Sequence, residues 1–525
     1  MYTSKNGSLL NVIIHASILM QLTSSAQAQY TNLACTWTDK SIEVYFNPGT
    51  IAANGFDVAR FREEMIDGMS VWNDEGQGRY DLLYMGDTTS NQKAGAIVVN
   101  HIDTWACSDN TIGKAFYPGA GAECDSGDPV VNMVMQDSCN PGTPRDWRTG
   151  WPGTTFNPWG LGGAAGYEMV AAHEFMHMQG LPDEGPGPGM GCCTNWHTSF
   201  RFLYPIDVLS IRAQAGPTIR RPRTVWSTLG TSWSSSSLLS TNYSSSPPDL
   251  DGMGGTGLSA AIWEPVFQVA NVRTGNHGSW TNVPTPTSIG DLHKWPSIAS
   301  SSFGESLVVW PDDCDNTNAC TIDWAWTNNG GTSWTTGTLS DARTHSKAFV
   351  QYDQNRDRFV LAYIHRNDAR IMTRSTAAAS VSWGNNHPTI AVPYRHLGGM
   401  VFDGDGAGLL VAASDQAATK GQIAQFAFTV TGTSYGLVNG SWATSPAGAA
   451  KTRRPFGIAR SPYSQRVVMV WRDVGNPRSM AVSRKLGIGS SIAFDAPTFP
   501  IADISNGASI AFDAFNDRFV AGYAQ

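Results

Sequence analysis

The chain has 525 residues, of which 41% are hydrophobic and 15% are charged. This balance predicts a folded chain of more than one domain and excludes a disordered one. The formal charge of −8 argues against a nucleic-acid surface, which needs clustered lysine and arginine, and no segment after the N-terminus is long and apolar enough to span a membrane.

The N-terminal segment, residues 1–28, has the pattern of a secretory signal peptide. Lys5 precedes an apolar run, and the small-residue cleavage site Ala26-Gln27-Ala28 follows it. The alternative is a membrane anchor, but the run is too short and too interrupted by polar residues to cross a bilayer. We therefore predict cleavage near Ala28 and a secreted protein, either extracellular or periplasmic.

Export predicts that the eight cysteines are paired in disulfide bonds. Cys314 and Cys320 are six residues apart in an otherwise cysteine-free C-terminal half, which favours a local bridge. The remaining cysteines all precede residue 200, and the sequence does not choose among their pairings. They are Cys35, Cys107, Cys124, Cys139, Cys192 and Cys193.

Residues 29–215 mix the periodicities of strands and helices. Residues 41–48 alternate as a strand does, whereas Phe61, Met65, Met69 and Trp72 recur at helical spacing. More strand-like segments follow, and then a helical stretch, "GYEMVAAHEFMHMQG", that ends at a glycine. The mixture predicts an α+β domain.

That helical stretch contains the pattern H-E-x-x-H. Residues four apart share a helix face, so His173 and His177 can direct their imidazole nitrogens at one zinc ion. Glu174 lies beside the ion without binding it, which suits a general base acting on a zinc-bound water. The alternative is an ordinary amphipathic helix with two structural histidines.

The longer segment from His173 to Asp183 resembles the metzincin pattern, in which a glycine at the position of Gly180 turns the chain back under the metal. The flanking segments "VAAHEF" and "FLYPIDVLSIRAQAG" resemble those of the matrixin branch. The resemblance implies a zinc metallopeptidase domain over residues 29–215, with zinc held by His173, His177 and a third ligand. It also implies that the edge strand near residues 114–117 binds extended peptide.

Two positions depart from the metzincin pattern. Asp183 stands where the family usually has a histidine; a carboxylate can replace it, and His197 and Glu184 are rival third ligands. Leu203, followed by Tyr204, stands where the family has a methionine beneath the metal. Leu203 can supply the same apolar floor, because that methionine is a packing residue. Met190 is a weaker candidate for the role.

After residue 220 the helical periodicity disappears and an all-β repeat of about fifty residues begins. The segments "YDQNRDRFVLAY" and "FDAFNDRFVAGY" match at several offsets, and six aromatic residues recur at the repeat interval. Such a repeat is typical of propeller blades, each a four-stranded sheet. We predict a six-bladed β-propeller over residues 216–525, closed by the C-terminal hairpin. The six aromatic residues are Trp233, Trp280, Trp334, Trp383, Trp442 and Phe494.

Three short motifs lie in the propeller. "TNNGGTSW" resembles the structural Asp-box turn of sialidase-like propellers, with Asn329 in the aspartate position. "DLDGMGG" (249–255) and "FDGDGAG" (402–408) cluster acids with glycine, so they are candidates for Ca²⁺ binding, although acids that form turns explain them as well.

The resulting interpretation is a secreted zinc-dependent endopeptidase that acts on a protein or peptide substrate. Its propeller would bind that substrate, a glycan or a cell-surface ligand. One alternative gives the activity to the propeller, as a sialidase or other glycosidase. A second alternative is a non-catalytic adhesion protein with a structural zinc. The acids and arginines available to a glycosidase are Asp353, Asp405, Arg343, Arg366 and Arg374.

Overall fold

A computed structural model defines the fold of the chain. The residues that it describes are 35–38, 41–75, 80–104, 113–116, 122–124, 127–136, 142–144, 147–148, 165–179, 220–241, 244, 247–252, 258–264, 269–276, 279–283, 295–312, 320–344, 346–365, 370–385, 387–390, 394–403, 405–414, 421–438, 441–442, 450–474, 479–502 and 504–525. The predicted signal peptide lies outside them and stays a prediction. None of the helices within these ranges is long and apolar enough to cross a membrane.

The described residues between 35 and 179 form what we call the N-terminal layer. Its five-stranded sheet has the order Asp81–Asp87, Ser41–Asn47, Ala96–Ile102, Val130–Val134, Gly113–Phe116. The first four strands are parallel, and the edge strand Gly113–Phe116 is antiparallel to its neighbour. The central strand Ala96–Ile102 is buried over nearly its whole length. Short elements complete the layer: Cys35–Thr36 with Ala122–Glu123, Trp147–Arg148 with Ala165–Gly166, and a 3₁₀ turn at Ala52–Asn54.

Two helices pack together in the N-terminal layer: α1, Val58–Glu75, and α2, Tyr167–Met178. Gly68 of α1 allows the close approach, because a β-carbon there would lie 2.8 Å from the backbone oxygen of Glu168. The indole nitrogen of Trp72 donates to the carbonyl of Ala172 at 2.6 Å. These contacts fix the register of α1 against α2.

A buried histidine ties the sheet to α2. His101 hydrogen-bonds through Nδ1 to the carbonyl of Asn47 and through Nε2 to the hydroxyl of Tyr167, both at 2.6 Å. Burial lowers the pKa of His101 to about 4, although the bond to Asn47 opposes the shift. At neutral pH the ring is therefore uncharged, and it can donate one hydrogen bond and accept the other.

The predicted six-bladed β-propeller is present. Five blades are four-stranded antiparallel sheets, and blade 5 has a fifth, two-residue strand, Ser441–Trp442, that pairs with Ile423–Thr431. Blade 1 has the order Ser237–Leu238, Pro222–Ser227, Arg518–Ala524, Ser505–Asp513. The other blades run from the innermost strand outward: blade 2, Asp249–Gly252, Leu258–Glu264, Val269–Asn276, Ser279–Val283; blade 3, Ser297–Ser300, Ser306–Asp312, Cys320–Thr327, Thr335–Thr344; blade 4, Phe349–Asp353, Arg358–Ile364, Ile371–Ala377, His387–Ile390; blade 5, Tyr394–Phe402, Gly408–Ser414, Ile423–Thr431, Ser434–Leu437, with Ser441–Trp442; blade 6, Gly457–Arg460, Arg466–Arg472, Ser479–Leu486, Thr498–Ala502.

Blade 1 is built from both ends of the propeller sequence. Strand Pro222–Ser227 pairs antiparallel with Arg518–Ala524 over six residue pairs, from Pro222 with Ala524 to Ser227 with Phe519. The C-terminal hairpin thus supplies the two inner strands of the blade that residues 222–238 complete. This pairing closes the ring and leaves neither strand as an open sheet edge.

The recurring aromatic residues fill the spaces between blades. Phe494 is buried in the core between blades 5 and 6. Trp233, Trp280, Trp334 and Trp383 are partly buried and pack against four other interblade cores. The sequence repeat is therefore a packing repeat, with one bulky ring filling the same kind of gap in each of these blades.

The second feature that recurs among the blades is the turn of the hairpin formed by the innermost strand and the strand after it. Asp357, Gln465 and Asp517 adopt left-handed backbone conformations there, with φ of 51°, 57° and 46°. An aspartate side chain tolerates this region better than most residues do. The first hairpins of blades 4, 6 and 1 therefore share one turn geometry, which the repeated segments encode.

The prediction of a separate, metzincin-like α+β catalytic domain before the propeller is wrong for this structure. The described residues are mainly β, with two α-helices, and the N-terminal layer is not a separate unit. Asp81 of its sheet is buried against three propeller arginines: Arg472 at 2.8 Å, Arg220 at 3.6 Å and Arg454 at 3.7 Å. Arg453 similarly contacts Glu63 and Asp67 of α1.

Burial alone would raise the pKa of Asp81, but the charges of Arg472, Arg220 and Arg454 outweigh burial and lower it. A depressed carboxyl pKa stabilises the fold above the unfolded value of about 3.9, and this stabilisation is lost as the pH falls through the folded value. The contact between the N-terminal layer and blades 1 and 6 should therefore weaken only in strong acid.

We predict that Asp81→Asn lowers the free energy of unfolding by about 3–5 kcal/mol, because it removes a buried counter-charge that three arginines share. Asp87→Asn is the matched control, since the Arg62–Asp87 pair is exposed to solvent and should contribute about 1 kcal/mol or less. Urea unfolding at pH 7 measures both. Equal small losses for the two variants would contradict this account.

Candidate functional site

A cavity of about 230 Å³ lies on the propeller axis, and we call it the axial pocket. All six blades contribute to its wall through the ends of their innermost strands and the turns that follow. The pocket therefore lies at the face where these strands finish. Its described lining is Leu250, Asp251, Gly252, Ser300, Ser302, Gln351, Tyr352, Gln354, Val401, Phe402, Asp403, Ile458, Ala459, Arg460, Pro462, Ile510, Ala511, Phe512 and Ala514.

Asp251 is a buried carboxylate in this wall. It accepts hydrogen bonds from the backbone nitrogen of Ser300 at 2.7 Å and from the amide nitrogen of Gln351 at 3.1 Å. Burial, the largest cause, raises the pKa of Asp251 to about 7. The bonds from Ser300 and Gln351 oppose the shift, and the nearby charge of Asp249 adds to it.

Asp249 lies two residues earlier in the same strand, farther from the pocket end. It accepts from the Lys347 ammonium at 2.6 Å and from the Ser297 hydroxyl and the Ile298 nitrogen, both at 2.9 Å. Alternate residues of a strand share a face, so both aspartates reach blades 3 and 4. Lys347 balances the charge of Asp249, whereas Ser300 and Gln351 offer Asp251 neutral donors.

The rest of the wall combines apolar surface with hydrogen-bonding groups. Phe402 packs against Phe428 and Tyr435, and Phe512 packs edge-on against Phe519 with ring centroids 5.0 Å apart. Tyr352 donates its hydroxyl to Asp357 at 2.8 Å. A few fixed polar groups among apolar and aromatic side chains are the usual composition of a small-molecule site.

Helix α2 places the two predicted zinc-binding histidines together. The Nε2 atoms of His173 and His177 are 3.1 Å apart, and the rings are nearly perpendicular, at 87°. Both side chains are half-buried. Zinc binds imidazole nitrogen at about 2.0–2.1 Å, so two nitrogens at this separation fit adjacent corners of its coordination shell.

Glu174 is buried on α2, facing the edge strand. A β-carbon on Gly113 would lie 2.7 Å from Oε1 of Glu174, so the glycine allows the strand to pass closely over this carboxylate. The other predicted residues of this site, Asp183, Glu184, Met190, His197, Leu203 and Tyr204, lie outside the described residues. Their roles, and that of Glu174 as a general base, stay predictions.

The acids of the two glycine-rich motifs accept hydrogen bonds from other groups of the protein. Asp403 accepts from the backbone nitrogens of Asp405 and Ala407 at 3.0 and 2.8 Å, which is the bonding of an acid that forms a turn. Calcium at either motif stays a prediction. Among the described residues, one group of three acids could hold a metal ion, namely Glu64, Asp67 and Glu168 between the helices, which the sequence did not indicate.

The residues considered for a glycosidase do not form one site. Asp353 accepts from the Tyr435 hydroxyl at 2.7 Å and pairs with Arg356, and Arg374 pairs with Asp341. Asp405 is exposed in its turn, and Arg366 lies outside the described residues. Asn329 forms its turn as an Asp-box aspartate would, accepting from the Ser333 nitrogen at 3.1 Å.

Sequence reasoning missed the axial pocket as a site. It identified Asp251 and Asp403, but only as members of glycine-rich acidic motifs. Gln351, Ser300 and Tyr352 carry no local signal, because each is an ordinary residue at the end of a strand. The one available signal was positional: all of the lining residues fall at or just after the innermost strand of a repeat.

Comparisons with known proteins find distant β-propellers. No family model matches the chain, and no curated protein matches it. A Hadza microbial sialidase, Hz136, has a TM-score of 0.39 and 10% identity over 50% of this chain and 60% of its own. An α-L-arabinanase from Penicillium chrysogenum, complexed with arabinobiose, has a TM-score of 0.37 and 10% identity over 58% and 97%. AofleA from Arthrobotrys oligospora has a TM-score of 0.39 and 10% identity over 59% and 84%. Likenesses this distant carry no argument about what the chain binds.

The prediction of a metzincin-like zinc metalloendopeptidase with a peptide substrate is wrong, because the described residues form a propeller with an N-terminal layer and no separate metzincin-like domain. The physical reason is that the H-E-x-x-H motif specifies two metal ligands on one helix and neither the third ligand nor a substrate site. Within the described residues α2 brings together two histidine ligands, and the cluster of three potential ligands lies elsewhere.

Asp251 should make stability depend on pH in a sense opposite to Asp81. Its folded pKa of about 7 exceeds the unfolded value of about 3.9, so the folded state binds the extra proton between these values. Stability from this group is therefore complete below pH 4 and is lost as the pH rises to 7. We predict that Asp251→Asn removes this loss, so the stability of the variant relative to wild type increases from pH 4 to pH 7. Thermal unfolding across this range measures the difference, and a constant difference would contradict the raised pKa.

Proposed function

We propose that this protein binds a saccharide in the axial pocket of its propeller. The observation that carries the proposal is the pocket itself, which is built by all six blades and combines buried polar groups with apolar and aromatic surface. Sugars present hydroxyl groups around their rings and apolar C–H faces above and below. A site for them needs both kinds of surface side by side.

The polar side of the pocket can recognise hydroxyl groups in two ways. Protonated Asp251 can donate a hydrogen bond, whereas the ionised form only accepts, and its pKa of about 7 allows both near neutral pH. Gln351, which already donates to Asp251, is held in position by that bond at 3.1 Å. Tyr352, Phe402 and Phe512 supply the apolar side. Binding rather than hydrolysis is proposed, because glycoside hydrolysis needs a pair of carboxyl groups, and Asp403, the other acid of the described wall, accepts the backbone hydrogen bonds of its own turn.

We predict that a bulky side chain in the pocket abolishes saccharide binding. Ser302 lines the pocket and is half-buried, so Ser302→Trp should fill it without disturbing the core. Ser491→Trp, at an exposed position outside the lining, is the matched control. A glycan array followed by calorimetry with the best ligand measures both. Equal binding by wild type and Ser302→Trp would refute this assignment.

A second proposal is that α2 binds a zinc ion with a structural role. The 3.1 Å separation of the His173 and His177 nitrogens supports it, because the two rings already share one face of the helix. A zinc ion bound to both histidines and to a third ligand later in the chain would tie that later segment to α2. Asp183 stays the candidate third ligand, with His197 and Glu184 as its rivals.

We predict that His177→Ala releases about one zinc per chain relative to wild type, whereas His365→Ala, on blade 4, retains it. Mass spectrometry of the metal in the purified, dialysed proteins gives the stoichiometry. Equal zinc content in all three proteins would exclude this site.

Secretion stays part of the proposal. Cys124 and Cys320 are both disulfide-bonded, and no described cysteine is free. Disulfides persist in oxidising compartments, so their presence supports export through the predicted signal peptide.

A further inference from the structure

Three exposed aromatic side chains border the axial pocket. Phe303, Tyr463 and Phe515 are 76%, 64% and 68% exposed. Each immediately follows a residue of the pocket wall: Ser302, Pro462 and Ala514. Five aromatic side chains are exposed in the described part of the chain, and the other two are Phe116 and Phe499. We call Phe303, Tyr463 and Phe515 the aromatic rim.

The rim residues occupy the same structural position in three blades. Each lies in the turn between the first and second strands, in blades 3, 6 and 1 respectively. Because the pocket lies at this end of the innermost strands, all three turns surround its mouth. Single exposed apolar residues are common on protein surfaces, but three at one repeat position around one pocket form a pattern.

Tyr463 is held in a fixed orientation although most of it faces solvent. Its ring lies 6.0 Å from that of Phe512, nearly edge-on, and its hydroxyl donates to the carbonyl of Ala514 at 3.3 Å. Phe512 belongs to the pocket wall, so aromatic surface continues from inside the pocket to the rim. An aromatic ring positioned in advance loses little freedom when a ligand stacks on it.

The charges around the mouth argue against an anionic ligand. Arg460 is the one arginine in the described wall, and the charges of Asp403 and Asp405 act on it. Arg356 beside the mouth is paired with Asp353 and donates to the carbonyl of Gly406. Asp251 adds further negative charge when it is ionised, and the whole chain carries −8. A ligand carboxylate or sulfate would meet net repulsion here.

We infer that the ligand is a neutral oligosaccharide, with one sugar in the axial pocket and neighbouring sugars stacked on the aromatic rim. This rests on the proposed saccharide binding and adds the charge and the length of the ligand. The rim rings belong to three separate turns, so they offer several small stacking surfaces. A protein partner would instead favour one continuous apolar patch.

The test measures affinity against chain length with neutral arabino-, galacto- and manno-oligosaccharides of one to six units. Wild type should bind the longest chains of its preferred sugar at least about tenfold more tightly than the single sugar. The triple variant Phe303→Ser, Tyr463→Ser, Phe515→Ser should lose this gain and keep its affinity for the single sugar. Phe499→Ser removes an exposed phenylalanine from the outer strand of blade 6, away from the pocket, and is the matched control.

The outcomes separate this inference from the proposal on which it rests. If no saccharide binds, the proposed function fails. If a single sugar binds but chain length has no effect, or if the triple variant keeps the gain, the rim inference fails and the pocket assignment stands. Tighter binding of sialylated or uronic-acid chains than of neutral ones would overturn the inferred ligand charge. If the triple variant no longer binds the single sugar, the three single substitutions are measured separately. The rim inference fails if none of them reduces the gain in affinity with chain length.

Discussion

The pairing of strand Pro222–Ser227 with strand Arg518–Ala524 is the interaction on which the rest of the structure depends. It joins the two ends of the propeller sequence in one blade and so turns a row of sheets into a ring. The interblade cores on both sides of blade 1 contain residues of the C-terminal hairpin, such as Tyr523 towards blade 6 and Val520 towards blade 2. Without this hairpin, two cores and the axial pocket would each lose one wall.

The closed ring has two opposite faces. The axial pocket and its rim lie where the innermost strands end. The N-terminal layer contacts the opposite face, because Arg454 precedes the innermost strand of blade 6 and Arg220 precedes the strand that pairs with the end of Arg518–Ala524. The helix that carries His173 and His177 is therefore part of the layer on one face, while the proposed saccharide approaches the other.

The local features of this fold and the closure of its ring could be read from the sequence, whereas the other long-range contacts could not. The aromatic residues such as Trp334 and Phe494, and the hairpin turns at Asp357 and Asp517, repeat because each blade solves the same packing problem with nearby residues. The pocket escaped prediction because its wall takes two to four residues from each of six repeats about fifty residues apart. The contact of Asp81 with Arg472 joins residues 391 positions apart, and neither has a sequence context that marks it.

The incorrect peptidase interpretation shows the limit of a short motif. The pattern around His173 predicted the helix and the shared face of the two histidines, both of which follow from helical geometry. It could not predict the chemistry, since a reaction requires a complete set of ligands and a substrate site, and those depend on segments far from the motif. The acidic motif that contains Asp251 was identified in the sequence as a candidate binding site. Its position in the wall of the axial pocket could be seen only in the structure.

The crystal structure of a complex with the best-binding neutral oligosaccharide is the most direct test of this account. It should show one sugar in the axial pocket, within hydrogen-bond distance of Asp251 and Gln351, and the next sugars against Tyr463 or its rim neighbours. Saccharide bound between blades, at the outer strands or on the N-terminal layer, with the axial pocket occupied only by solvent, would contradict it.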